Sequence, residues 1–226
     1  MHASVIGLCG PAGSGKDTIA TMLAGSQRHF VRQQDQWRRL TLSGDRADIH
    51  DPLIPHCAVI GFADPIKVFA QEVYGFSDQQ LWGSSSYRNQ IDSRCGVSVR
   101  TVLQRFGTEA GRACWDRTWI ELGFRHATEL RAAGVMSPRG GSVASFVLLP
   151  VETVVFCDVR FENEATAIRE IGGRTIELIG RGSWSVTGHA SELGGAAGKC
   201  DLVLDNSGDL EDTRAKLHAL VQEHRL

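Results

Sequence analysis

Residues 5–18 read VIGLCGPAGSGKDT, an apolar run that feeds a glycine-rich turn closing on Gly15-Lys16. Glycines at 10, 13 and 15 reach backbone angles closed to other residues, so successive N–H groups can turn inward onto phosphate oxygens. A helix beginning near Lys16 adds the positive end of its dipole to the same anion. Lys16 then offers a mobile point charge to the β and γ phosphates of a nucleoside triphosphate, which makes Gly13, Ser14, Gly15, Lys16, Asp17 and Thr18 the expected triphosphate loop. The loop departs from the G-x-x-x-x-G-K-[ST] pattern at one place, where Asp17 follows the lysine and Thr18 comes one later. A hydroxyl at that place ordinarily contacts magnesium, so either Asp17 holds a magnesium-bound water or Thr18 takes over the contact, and Mg2+ is the expected metal.

Three further segments carry charge at the ends of apolar runs. In GFADPIK, residues 61–67, Pro65 suits the first turn of a helix, Asp64 can cap it, and Lys67 lies where an ammonium could reach a second phosphate or simply meet solvent. In residues 99–120, Val102, Leu103, Phe106 and Ala110 mark one helical face interrupted by Gly107-Thr108, a break that suits close approach of a ligand or another segment. Arg100, Arg105, Arg112 and Arg117 surround that break, and arginine grips phosphate bidentately. Trp115 and Trp119, four apart, would share a face, one for the core and one free to stack on a base. In CDVRFENEA, residues 157–165, alternation puts Asp158 and Arg160 on one side of a strand as it leaves a sheet. There Asp158 could accept from a sugar hydroxyl, a base or a magnesium-bound water, and Arg160 could hold an acceptor phosphate. The competing reading is a buried ion pair bracing strand to helix.

The elements that would position these groups are short β-branched or apolar runs at 5–9, 59–63, 153–159, 174–179 and 202–204, alternating with helical segments at 16–24, 65–74, 162–171 and 210–224. Alternation of this kind predicts an α/β fold, with a five-stranded parallel sheet, right-handed crossovers and ligands gathered at the carboxyl ends of the strands. Residues 27–55 read as an exposed excursion, and residues 131–145, with Pro138 and Gly140-Gly141, as a mobile connection.

Length and composition narrow the field. The 226 residues, 42% of them hydrophobic, predict one lobed domain. A net charge of −2 gives no general attraction for polyanions, so stable nucleic-acid binding is not expected. Six scattered cysteines lack a C-x-x-C pair, which argues against zinc, and several sit in apolar runs as buried thiols do. No apolar run has signal or membrane-spanning length, and the expectation is a soluble protein of a reducing cytoplasm.

Taken in order, GSGKDT, FADPIK, LQRFGTEAGR with a following WI, DVRFENEA, HASE at 189–192 and DNSGDLEDT at 205–213 resemble the phage deoxynucleoside monophosphate kinases. The likeness runs from about Val5 to Thr213. It implies a P-loop kinase of adenylate-kinase-like type, with core residues 1–26, 58–75 and 151–226 and a helical lid and acceptor region at about 76–135. It implies transfer of the ATP γ-phosphate to a deoxynucleoside 5′-monophosphate, with Mg2+. Lys67, Gly107, Thr108, Arg112, Trp119, Asp158, Arg160, Asn163 and Glu164 would shape the acceptor site. Lys16, Arg105, Arg112 and Arg160 would offset charge in the transfer. The GKDT variant is shared with that family. The resemblance places the chain in the host cytoplasm if phage-encoded, with nucleotides as partners, no membrane, and a homodimer left open. Two other classes stay open: a kinase of a hydroxymethylated base within DNA, and a nucleotide-binding regulatory protein. His189 and Glu192 match the pattern without an evident role.

Overall fold

The computed structural model describes residues 4–25, 29–34, 36–40, 51–138, 146–183 and 188–226. Strand β1 (Ser4–Cys9) runs through the phosphate loop into helix α1 (Lys16–Ala24). A hairpin of β2 (Phe30–Gln33) and β3 (Gln36–Arg39) precedes β4 (Cys57–Ile60), which leads into α2 (Asp64–Tyr74). The insertion that follows holds two short helices, α3 (Asp78–Trp82) and α4 (Ser85–Asn89), and the two-residue strands β5 (Ile91–Asp92) and β6 (Val97–Ser98). It continues with α5 (Val99–Gln104), a π-helix over Arg105–Arg112, α6 (Thr118–Ala133) and a hairpin of β7 (Val135–Pro138) and β8 (Phe146–Leu149). The chain closes with β9 (Thr153–Val159), α7 (Glu162–Glu170), β10 (Arg174–Ile179), β11 (Leu202–Asp205) and α8 (Leu210–His224).

Five of these strands form one parallel sheet in the order β11-β10-β1-β9-β4, flanked by helices on both faces. This is the α/β fold that the alternation predicts, and it is consistent with a P-loop kinase. Because the strands are buried on both faces, their side chains alternate between two cores. Ile6, Leu8, Val155 and Ile176 meet Ile19, Met22 and Leu23 of α1 and Leu217 and Val221 of α8. Val5, Val154 and Phe156 meet Ala127 and Leu130 of α6 and Ala165 and Ile168 of α7. A third, smaller core joins Val31 and Leu40 to Val68, Phe76, Leu81, Trp82 and Val102, and it holds the insertion against the sheet domain.

One irregularity shapes the site. Gly7 pairs with Phe156 but Cys9 with Val159, so β9 carries one extra residue against β1. This bulge puts Val159 in the same core as Phe156 and leaves Asp158 at the strand end, its carboxylate turned to the chain that leaves β4.

Five expectations are corrected. The second strand ends at Ile60, because the amides of Gly61 and Phe62 bond Asp64 and Asp158 instead of a sheet partner. The supposed excursion at 27–55 contains the β2–β3 hairpin, and Phe30, Val31 and Leu40 are buried because the hairpin covers α2; residues 26–28, 35 and 41–50 lie outside the described residues. The connection expected at 131–145 begins as the last turn of α6 and the strand β7, while residues 139–145 lie outside the described residues. Gly107-Thr108 does not interrupt its helix: the backbone widens to a π-helix there, and Ile66 Cδ1 would lie 2.9 Å from a Cβ at Gly107. Trp115 is exposed in the turn before α6, so it shares no helix face with Trp119.

Phe156 is fully buried, stacked on Phe62 with centroids 4.1 Å apart and edge-on to Phe124 at 5.8 Å. Phe156→Ala should therefore cost about 3–5 kcal/mol in urea unfolding, the range for a buried aromatic whose void cannot close. A loss under about 1 kcal/mol would show that this part of the core collapses freely.

Candidate functional site

Each of β1, β4 and β9 releases the chain on the same side of the sheet, and between these exits and the insertion lies a cleft of about 680 Å3. That volume lies within the span of small-molecule sites, about 300–1,000 Å3.

The glycine-rich loop forms one wall. Gly13 and Gly15 have φ of 79° and 90°, the left-handed region that glycine enters without strain. No side chain caps α1, so its first amides remain for an anion. Lys16 lies across the loop, donating to Gly10 O and Pro11 O at 2.7 Å each and to Ser14 Oγ at 3.4 Å. Burial, and then the charge of Arg160, push its ammonium below the ordinary lysine range. Asp17 is exposed on the rim of the cleft, whereas Ser14, Gly15 and Thr18 do not line it. Among the described residues no group of three His, Cys, Asp or Glu side chains could hold a metal. A single carboxylate beside a phosphate cradle still suits magnesium, which keeps several waters and leans on substrate phosphates.

The floor is built from the turn after β4. Asp64, 3% exposed, accepts from Gly61 N at 2.6 Å, His29 Nε2 at 2.9 Å, Lys67 Nζ at 3.0 Å and Trp82 Nε1 at 3.0 Å. It does not cap α2, whose flanking residue is Ala63 and which has no side-chain cap, because its oxygens are taken by these donors. Burial alone would raise the Asp64 carboxyl; Lys67 and then His29 reverse this and hold it well below the usual carboxylate range. Asp158 accepts from the amides of Phe62 and Ala63 at 2.7 and 3.0 Å, so it is neither a free acceptor nor the partner of Arg160. Lys67 lines the cleft but is not the free cation expected: it pairs with Asp64 and lies 5.7 Å from the centroid of the Trp82 ring. Burial would lower its ammonium, but Asp64 and then Asp158 hold it raised.

The far wall comes from the insertion and from the exit of β9. Arg88 donates at 2.6 Å to Gly83 O, a neutral acceptor. Burial lowers its guanidinium first, with Arg100 and Arg160 adding to the effect and Asp17 opposing it. Arg100 bonds Asn89 at 2.8 Å and Glu192 at 2.6 Å, and Arg160 reaches Ser191 O at 3.5 Å. The HASE segment thus supplies a carboxylate and a carbonyl to two cleft arginines. His189 caps the adjoining turn through Ser191 N. Trp119 Nε1 donates to Gly107 O at 2.7 Å, which fixes the indole against the π-helix beside Thr108. Arg112 is an anchor: it pairs with buried Glu164, bonds Asn163 at 3.3 Å and lies 3.8 Å over the Phe161 ring. Glu164 in turn accepts from Arg160 N and Phe161 N, and burial pushes its carboxyl up against the pull of Arg112.

The structure therefore gathers Gly13, Lys16, Asp17, Lys67, Gly107, Thr108, Arg112, Trp119, Asp158, Arg160 and Glu164 around one cleft. Arg105 is exposed and outside it, since the π-helix turns that position to solvent; Asn163 acts only through Arg112 and Asp116. Sequence reasoning missed His29 and Arg88, and it did not see that Asp64 organises the floor. The one signal was a lone acidic residue closing an otherwise apolar strand exit.

Fold and loop together are those of an α/β protein consistent with a P-loop kinase. No protein-family model matches the chain. It is similar to a protein of Acanthamoeba polyphaga mimivirus named "Putative deoxynucleotide monophosphate kinase", with 29% identity over 222 residues that cover 96% of this chain and 95% of that one. Among the described residues no helix is long and apolar enough to cross a membrane.

Because the folded Asp64 carboxyl titrates below its unfolded value of about 3.9, its contribution is full above that value and is lost as pH falls toward the folded one. Stability of the protein should accordingly drop below about pH 4, and Asp64→Asn should both flatten that acid limb and cost about 1–3 kcal/mol at pH 7 by taking from half-buried Lys67 its nearest counter-charge. Parallel pH–stability curves for the two proteins would refute this assignment.

Proposed function

We propose that the protein transfers the γ-phosphate of ATP to a deoxynucleoside 5′-monophosphate, releasing a deoxynucleoside diphosphate and ADP. The observation that carries this reading is that a glycine-rich loop with its lysine and, besides the anchored Arg112, three arginines, Arg88, Arg100 and Arg160, line one cleft, and that among the described residues Arg88 and Arg160 hydrogen-bond only neutral acceptors. A cleft with a single phosphate site would need only the loop; two anions need this many cations. The similarity to the mimiviral protein supports the same reading.

In this reading Gly13, Ser14, Gly15, Lys16, Asp17 and Thr18 hold ATP, and Lys16 leaves the carbonyls of Gly10 and Pro11 for the β and γ phosphates. Asp17 would hold magnesium through its water shell, and the ion would offset charge on the donor phosphates. Arg160 and Arg88 grip the acceptor phosphate in line with the γ-phosphorus. An oxygen of that phosphate attacks, the bond from the γ-phosphorus to the β-phosphate oxygen breaks, and ADP departs with the electron pair. A phosphate oxygen is already ionised at neutral pH, so no general base is required. Gly107, Thr108 and Trp119 wall the acceptor nucleoside, while Asp158, Lys67, Arg112 and Glu164 keep that wall in place. Residues 76–135 form the lid and acceptor region over a core of residues 1–26, 58–75 and 151–226. Its closure excludes water, so ATP hydrolysis without acceptor is slow.

The test is incubation with labelled ATP against a panel of dNMPs, NMPs and hydroxymethyluracil-containing DNA. A 2′-hydroxyl without a partner leaves a polar group to desolvate, so dNMPs should be favoured over matching NMPs by about 10-fold or more, with DNA inert. Lys16→Met should remain folded and lose about 10²-fold or more in turnover, as loss of a transition-state charge contact does. Label passing to DNA while free dNMPs stay untouched would favour the DNA-kinase alternative; ADP binding with no transfer to any acceptor would favour the regulatory one.

Acceptor contacts should separate from donor contacts in the kinetics. Replacing Arg160 or Arg88 with Ala should raise KM for the dNMP by about 10-fold or more and KM for ATP far less, because a contact uniform along the reaction acts mainly on binding. Equal effects on both substrates, or a loss confined to ATP, would move these arginines to the donor side.

A further inference from the structure

Asn206 lies at the end of β11, 192 residues from Ser14 in sequence, yet its Nδ2 donates to Ser14 O at 2.6 Å. Its Oδ1 accepts from the Thr213 hydroxyl at 2.8 Å, and its backbone N–H bonds Ile179 O at 2.9 Å. Asn206 and Thr213 are 6% and 2% exposed, so the amide has no solvent to exchange with. Its orientation is fixed by chemistry, since a carbonyl can only accept and the Ser14 oxygen must therefore face the NH2 group. The fit extends to the next residue: a Cβ at Gly15 would stand 2.6 Å from Asn206 Nδ2.

We propose that Asn206 is the positioning residue of the phosphate loop, holding the Ser14–Gly15 peptide so that the Gly15 N–H points at bound nucleotide phosphate. In a trans peptide the C=O and the following N–H point in opposite directions. A Ser14 carbonyl tied inward to Asn206 therefore sends the Gly15 N–H outward, to the hollow of the loop where Lys16 also lies. Thr213, in the first turn of α8, locks the amide from behind. The phosphate-loop pattern itself contains no such residue; the anchor comes from the far end of the chain. The proposal rests on the reading that this loop binds nucleotide phosphates.

Asn206→Asp in the full chain keeps the size of the side chain and its bond to Thr213 but sets a carboxylate oxygen against Ser14 O. ADP affinity by calorimetry and KM for ATP at pH 8 should both worsen by about 10-fold or more, with KM for the dNMP within about two-fold and the unfolding midpoint lowered at pH 8 but still above the assay temperature. At pH 5.5 ADP affinity should recover, because a carboxyl beside a carbonyl is raised in pKa and once protonated can donate again. Thr213→Val should weaken ADP in the same direction by a smaller factor, and Thr213→Ser should restore it. Unchanged ADP affinity in Asn206→Asp, or losses shared equally by donor and acceptor without recovery at low pH, would overturn the proposal. Should Asn206→Asp not fold, parental ADP affinity in Thr213→Val would overturn it instead. A parent protein that binds no ADP would sink the nucleotide reading itself, and this inference with it.

Discussion

Burial of a strand on both faces and both edges leaves it one place to stop, and β1 is such a strand. It pairs with β9 on one side and β10 on the other, and a core covers each of its faces. Gly7 shows how tight this is, since a Cβ there would come within 2.6 Å of Ile168 Cδ1 on α7. With β1 fixed, the loop must open after Cys9, and the exits of β4 and β9 fall beside it because they share its direction. The single extra residue in β9 then decides that Asp158 faces the β4 exit rather than a core.

Charge is divided by location within the cleft. On the floor, two carboxylates and one ammonium, Asp64, Asp158 and Lys67, satisfy one another and the amides of the β4 exit. This group spends its charge on shape. Along the walls the balance runs the other way, where Lys16, Arg88 and Arg160 hold neutral carbonyls and the charge of Arg160 adds to burial in lowering both Lys16 and Arg88. The separation also explains why Lys67 and Arg160, equally plausible as phosphate ligands by position, have different surroundings.

The part of the site legible in sequence is the part built from consecutive residues. Gly13 to Asp17 announce themselves because the turn, the lysine and the helix start lie within one short window. Trp119, Gly107 and Arg112 emerged from a charged and aromatic helix, though their spacing could not reveal a π-helix or that Arg112 would be consumed by Glu164. Arg88 sits in SSYRNQ, a segment with no pattern to read, and among the described residues its hydrogen bonds go to neutral acceptors, which only the fold decides. Asp64 looked like a helix cap because local rules place it there; three of its four donors come from Lys67, Trp82 and His29, outside the turn it closes. The five strands were readable from their apolar runs. The β2–β3 hairpin was not, since its strands FVRQ and QWRR carry too much charge to signal burial, and only Phe30 and Val31 at the start of β2 and Leu40 just past β3 are buried.

Strand order has a consequence for how this molecule is made. The chain begins with the strand that ends up central, and both neighbours of that strand, β9 and β10, are encoded after residue 150. During synthesis β1 therefore leaves the ribosome long before either edge partner exists, and the intervening insertion must wait as well, since its small core leans on the same sheet domain. Contacts of such sequence separation form slowly and late. Asn206, which grips the loop of residues 10–16, emerges later still. A nascent or truncated chain thus carries the complete glycine-rich motif without the fold that shapes its loop, and the cleft is assembled only once β9, β10 and β11 have closed beside the first strand.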